Sequence, residues 1–276
     1  DQSKLNVSTN LKETINNSDV LFLVIPSAFL HTEFVNAKIT AEDLKDKIIV
    51  SAIKGIIPEF TLIPAAYLND QFRVEYNNMA IVAGPCHAEE VAHERLSYLT
   101  IATPTRGRAH AIGDLLKCRY INVNRNDDLV GTEYSAIMKN VYSIAAGICF
   151  GIGYGDNFMA VLISNAIRET EQFVDCVYPK HRDVKTSAYL GDLLVTAYSQ
   201  YSRNRTFGNM IGKGYSVKFA KLEMKMVAEG YYASKCVNDI QNKFELNLPI
   251  ADAVYQCLYE GKNPKKTFKA IQSLLK

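Results

Sequence analysis

From Asp19 to Asn126 the chain alternates short, apolar, β-branched runs with stretches of helical character. "DVLFLVIPS" (19–27) is a continuous apolar run closed by Pro-Ser, the pattern of a strand buried on both faces. "KIIVSAIKG" (47–55), "MAIVAGP" (79–85), "SYLTIATP" (97–104) and "YINVNRN" (120–126) repeat it. Between them "AEDLKD", "IPEFTLIPAAYLND", "HAEEVAHERL" and "RGRAHAIGDLLKC" predict helices. Strands spaced by about 15–30 residues of helix and loop predict right-handed crossovers and a largely parallel sheet.

After residue 128 the strand signal fades. Tyr134, Ile137, Met138, Val141, Ala145 and Ile148 recur at helical spacing, an apolar stripe along one helix. "FMAVLISNAIRETEQFVDCVY", "GDLLVTAYSQY", "VKFAKLEMKMVAEG" and "PIADAVYQCLYEG" predict further helices. The chain therefore divides into an α/β part, 1–128, and an all-α part, 129–276.

The run "KNVYSIAAGICFGIGYGDN" (139–157) invites three readings. It holds Asn140, Ser143 and interrupting glycines, and it falls short of the roughly 18 apolar residues that a membrane span requires. Gly151, Gly153 and Gly155 follow a helix and are spaced G-x-G-x-G, whereas a dinucleotide loop needs G-x-G-x-x-G between strand and helix. They predict a turn between two helices. Lys139 is the only charge between Tyr134 and Gly155, and it shares a helix face with Ser135, Ser143 and Ala146. Burial there lowers a lysine pKa and suits it to proton transfer; the plainer alternative is a solvated side chain.

Composition narrows the function classes. The 276 residues carry a net charge of +2, with 48% hydrophobic and 22% charged residues. That balance gives no reason to expect nucleic acid or an acidic membrane surface as a partner. Six scattered cysteines without a C-x-x-C pair predict reduced thiols in a cytoplasmic protein. His87 and His93 are six residues apart, so on a helix they diverge by about 120° and do not form a zinc pair; no metal is expected.

In an open α/β sheet, ligands gather beyond the carboxyl ends of the strands. Three strands end there in Pro26-Ser27, Lys54-Gly55 and Gly84-Pro85-Cys86. Lys54 either reaches a bound anion or carbonyl or is a solvated strand-end lysine. "YSRNRTFG" (201–208) sets Arg203, Asn204 and Arg205 after a helix, as a phosphate-binding cluster or a plain basic loop. Asp192 in "LGDLLVT" could serve only as a helix cap.

Taken together, "SAIKGI", "GPCHAEEVA", "MKNVYSIAAGICFGIGYGDN", "GDLLVTAYSQYSRNRTFG" and "VAEG", in this order, resemble NAD(P)-dependent glycerol-3-phosphate dehydrogenase over nearly the whole chain. The resemblance implies a Rossmann-type domain followed by a helical substrate and dimerisation domain, a cofactor of NAD or NADP, and a homodimer. It implies interconversion of dihydroxyacetone phosphate and glycerol 3-phosphate, with Lys139 as proton donor and acceptor and with Lys54 and Asp192 orienting the substrate. Gly84, Cys86, Asn140, Ser202, Arg203 and Asn204 would line the substrate site. Pro26, Lys54, Ala88, Arg203, Val227 and Glu229 would approach the cofactor. Cys86 stands where the family usually has serine, replacing a hydroxyl donor by a weak thiol donor.

The family also opens with a strand and a glycine-rich pyrophosphate loop, and this chain begins at Asp1 without either. By the size of a βαβ unit, roughly 70 residues of the family's length stand ahead of Asp1. The expectation is a partial sheet with an exposed edge and little or no NADH oxidation by the 276 residues alone, alongside measurable binding of glycerol 3-phosphate or another phosphate ester. Two other readings are a hydroxyacid or 6-phosphogluconate dehydrogenase of the same architecture, and an inactive fragment that only binds phosphate esters.

Overall fold

The computed structural model describes residues 4–224 and 228–276. Five strands, β1 (Val20–Leu23), β2 (Ile48–Ser51), β3 (Met79–Ala83), β4 (Ser97–Ala102) and β5 (Ile121–Asn126), form one sheet in the order of the chain. β1 and β5 are its edges. Each strand lies inside one of the five runs picked out by β-branched residues. Side chains alternate across the sheet as strand geometry requires. Ile49, Met79 and Ile81 pack on one face beneath α1 (Leu11–Asn16), α2 (Ser27–Asn36), α3 (Ala41–Leu44) and α4 (Pro64–Phe72). Val50, Ala80 and Ile101 pack on the other.

The sheet is largely parallel, as expected, with one antiparallel pair. β3 and β4 pair antiparallel, Ile81 facing Ala102 and Ala83 facing Thr100. Only the five-residue α5 (Ala88–Ala92) lies between them, and Gly84 turns the chain at φ +105. So short a connection suits a reversal, whereas a parallel return normally needs a full crossover helix. Such a helix, α6 (Arg106–Leu116), does join β4 to its parallel neighbour β5. The helix expected over 57–70 starts late, at Pro64: Ile57 bridges Leu62, and proline takes the first helical turn, where a missing N–H is harmless.

α7 (Leu129–Gly151) begins at Asp128, whose carboxylate accepts from the Gly131 N–H at 3.1 Å. The expected stripe is there, but Ala136, Tyr142, Ile144 and Ala146 on the other faces are equally buried. A helix apolar all round is a central one. Around it pack α8 (Asp156–Val177), α9 (Asp192–Tyr198), α10 (Arg203–Gly212), α12 (Glu229–Lys243) and α13 (Pro249–Tyr259). The glycine run forms the α7–α8 turn, with Gly153 at φ +94. α14 (Pro264–Ile271) closes the chain, and α11 (Val217–Glu223) covers the first half of the helix expected from 217. No helix among the described residues is long and apolar enough to cross a membrane.

α10 replaces the loop expected at 201–208, and α12 was not apparent from periodicity. Glycines 208 and 212 make α10 a poor helix by propensity, and packing overrides that preference. A β-carbon on Gly147 of α7 would stand 2.1 Å from the Arg205 carbonyl oxygen, and one on Gly208 of α10 2.1 Å from that of Ile144. The two backbones touch only because both residues lack side chains. Gly208→Ala should therefore force α10 away from α7 and lower stability by about 1–3 kcal/mol, read as a fall in urea midpoint. An unchanged midpoint would show that this contact is not tight in solution.

Candidate active site

Because β1, β2 and β3 run parallel, Pro26, Lys54 and Gly84 all emerge at one edge of the sheet. α7 brings Lys139 to that edge, and a π-helical turn (Ser187–Gly191) leads directly into Asp192, the first residue of α9. Such turns widen a helix locally and often occur at functional sites. Lys139 is only 6% exposed; its Nζ donates to Asp192 Oδ1 at 2.5 Å and to Thr196 Oγ1 at 2.9 Å. The other carboxylate oxygen of Asp192 accepts from Lys54 Nζ at 3.0 Å and from the Gly84 N–H at 3.3 Å. Asn140, next to Lys139, donates from Nδ2 to the Lys54 carbonyl at 2.7 Å. One buried carboxylate thus joins a lysine from each half of the chain.

The electrostatics follow from that arrangement. Burial pulls the Lys139 pKa down to about 7; the Asp192 carboxylate opposes the fall and Lys54 adds to it. Burial alone would raise the pKa of Asp192, but the two lysines outweigh it and hold the carboxyl below its ordinary value. The site therefore keeps its carboxylate ionised while Lys139 titrates near neutrality.

A second group lies alongside. Ser143, one turn after Lys139, donates to the Thr196 carbonyl at 2.9 Å and lies 2.8 Å from Ser202 Oγ. Ser202 caps α10, and Asn204 Oδ1 accepts from the Gly230 N–H at 3.0 Å at the start of α12. The neighbouring Glu229 accepts from Ser27 N at 3.0 Å and from Ser27 Oγ at 2.5 Å, tying α12 to the start of α2 behind Pro26. Burial raises the Glu229 pKa, opposed by Ser27 and by the Arg203 guanidinium.

The sequence-derived candidates thus fall into groups. Lys54, Gly84, Lys139, Asn140 and Asp192 share one hydrogen-bonded cluster, to which Ser202 is joined through Ser143. Cys86 is half-buried, and burial raises its thiol pKa against the pull of Lys54. Arg203 and Ala88 are exposed, and among the described residues neither side chain hydrogen-bonds to the cluster. Val227 lies outside the described residues. Sequence reasoning missed Thr196, and it placed Ser27 at a strand end without its partner Glu229. Thr196 had a signal, since it sits four residues after Asp192 and so on the same helix face; the pairing of Ser27 with Glu229 had none, because the two are 202 residues apart.

An open α/β sheet of dinucleotide-binding type, closed by helices over a buried lysine, defines the class. Family models for the N-terminus and C-terminus of NAD-dependent glycerol-3-phosphate dehydrogenase match residues 2–109 and 128–269. A glycerol-3-phosphate dehydrogenase (NAD(P)+) of Agathobacter rectalis is 34% identical over 259 residues, covering 94% of this chain and 76% of that protein. The crystal structure of glycerol-3-phosphate dehydrogenase from Coxiella burnetii matches with a TM-score of 0.87 at 25% identity, over 95% of this chain and 79% of that one. A ketopantoate reductase from Ralstonia eutropha shares the fold alone, with a TM-score of 0.58 at 14% identity over 96% of this chain and 82% of that one. The chain belongs to the NAD-dependent glycerol-3-phosphate dehydrogenase family.

Asp192→Asn removes the only carboxylate between two lysines. Breaking a buried pair this way should cost about 3–5 kcal/mol at pH 6, and less at pH 9, where Lys139 is already neutral. Lys139 releases its proton at about 7 in the fold, against an ordinary value of 10.5. The native state then binds fewer protons than the unfolded one in that window, so wild-type stability should rise with pH across it. Urea unfolding at several pH values checks both, and a pH-independent loss would argue against the pair.

Proposed function

We propose that this protein interconverts dihydroxyacetone phosphate and glycerol 3-phosphate using NADH or NADPH, with Lys139 moving the proton on the C2 oxygen. What carries the reading is the buried Lys139–Asp192–Lys54 cluster at the carboxyl edge of the sheet, in a chain of this family. Reduction of a ketone builds negative charge on oxygen, and a buried ammonium within hydrogen-bond reach both stabilises that charge and supplies the proton. A lysine titrating at about 7 serves both directions: charged it donates, neutral it accepts.

The other roles follow from chemistry and location. Lys54 and Asp192, supported by Gly84, Asn140 and Thr196, orient the C2 end of the substrate. Ser202, Arg203 and Asn204 hold the phosphate at the positive amino end of α10, so that binding energy far from the reacting carbon positions it. Cys86 lines the site as a weak donor. NAD(P)H supplies the hydride when bound. Pro26, Lys54, Ala88, Arg203 and Glu229, with Val227, would face it; the exposed Arg203 guanidinium beside the Glu229 carboxylate fits its polar, anionic character. On this reading 1–128 is the cofactor domain and 129–276 the substrate domain. The protein works as a cytoplasmic homodimer on small phosphate esters without a nucleic-acid partner, which its net charge of +2 supports.

Lys139→Ala should lower kcat by about 10²-fold or more, the scale of lost general acid–base catalysis. Wild-type turnover in that variant would remove Lys139 from the mechanism. In the parent enzyme, raising pH through about 7 should slow dihydroxyacetone phosphate reduction and speed glycerol 3-phosphate oxidation, because the first needs the lysine charged and the second needs it neutral.

Arg203→Ala should weaken dihydroxyacetone phosphate by about 10-fold or more, the worth of one charge-assisted contact, and leave phosphate-free dihydroxyacetone nearly unaffected. Calorimetric titration of both ligands decides, and equal losses would assign Arg203 to the fold rather than to the phosphate.

A further inference from the structure

Asp128, Arg182 and Tyr189 form a buried cluster that no step above employs. Asp128 is 4% and Tyr189 2% exposed. The Tyr189 hydroxyl donates to Asp128 Oδ2 at 2.6 Å, and Arg182 Nε donates to the same oxygen at 2.8 Å. Asp128 Oδ1 accepts from the Gly131 N–H at 3.1 Å. Arg182 is held in turn by Asp175 and by the Tyr178 carbonyl. The buried charge is thus paired and its oxygens are occupied, as burial demands.

The cluster joins the two elements whose separation matters at the site. Asp128 caps α7, which carries Lys139. Tyr189 lies inside the π-helical turn that ends at Gly191, three residues before Asp192. The geometry points to Tyr189 as a positioning residue: by anchoring this turn to the start of α7, it sets the distance between Asp192 and Lys139. An anchor at this point has leverage because a π-helical turn is locally less favourable than the α-helix that follows it. Its hydrogen bond holds the turn against relaxation. Arg182 plays a different part, since it neutralises Asp128 whether or not Tyr189 is bound. Removing the hydroxyl alone therefore unties the turn from the start of α7 and leaves the buried charge paired, while Ser187 still holds the turn to β5 through Asn124.

The catalytic consequence rests on the reading of Lys139 as the proton-transfer group, so the readout is Lys139 itself rather than turnover. The titratable groups facing it are Asp192 at the start of α9 and Lys54 beyond β2. Asp192 raises its pKa and Lys54 lowers it, so a turn that drifts away removes the attraction and leaves the repulsion. The experiment is a pH titration by NMR of protein labelled with ¹³C at the lysine ε-carbons, with Lys139 assigned by its loss in Lys139→Arg. Tyr189→Phe should lower the Lys139 midpoint by about half a unit or more and keep the wild-type circular dichroism spectrum. Gly131→Ala is the second variant, since its methyl carbon would stand 2.2 Å from Asp128 Oδ2 and must displace the anchor from the other side; it should move the midpoint the same way. An unmoved midpoint in a folded Tyr189→Phe protein, or in Gly131→Ala if the first does not fold, overturns the assignment. A shifted midpoint together with full turnover in Lys139→Ala leaves the positioning role standing and removes only the catalytic reading.

Discussion

A carboxylate buried between two lysines is stable only if every one of its contacts is made, and Asp192 meets that condition with groups from three parts of the chain. Lys54 follows β2, Lys139 lies in the middle of α7, and the Gly84 N–H belongs to the turn after β3. The cost of taking these charges out of water is offset only when sheet and helices are docked together. The same docking excludes water from Lys139 and brings its pKa near neutrality. Assembly of the fold and tuning of the candidate site are one electrostatic event.

α7 is the frame on which this rests. Its faces are filled by five other helices, and its closest neighbour, α10, is admitted by paired glycines. Close backbone packing leaves little freedom to slide, so Ser143 and Ser202 stay 2.8 Å apart and the start of α10 keeps its register against Lys139.

Two further buried carboxyls stiffen the frame without entering the site. Glu133 of α7 accepts from the Ala65 N–H at the start of α4 at 3.1 Å. Glu169 of α8 accepts from the Ile250 and Ala251 N–H groups at the start of α13, at 2.8 and 3.2 Å, and from the Tyr142 hydroxyl at 3.0 Å. Each satisfies donors that a helix start cannot satisfy internally. Burial pushes their pKa values up to about 8 and about 7, the direction opposite to Asp192. The difference is cationic company: two lysines surround Asp192, whereas no cation offsets the burial of these two acids, and Asp252 adds to the rise at Glu169.

Local pattern was enough for the outline. Short, continuous, β-branched apolar runs marked all five strands, period-3.6 runs marked α7, α8 and α13, and one lysine isolated among small and apolar residues marked the heart of the site. The ordered motifs around Lys54, Lys139 and Asp192 were sufficient for the family. What local pattern missed was decided by distant partners. The antiparallel β4 depends on a short connection between strands, and α10 forms against its own propensity because Gly208 meets Ile144. Lys139 meets Asp192 across 53 positions of sequence, and Lys54 meets it across 138. Hydrophobic periodicity is written residue by residue and survives in a single sequence. The pairing of buried charges is set by how elements pack, and only the tertiary structure brings those charges within reach of one another.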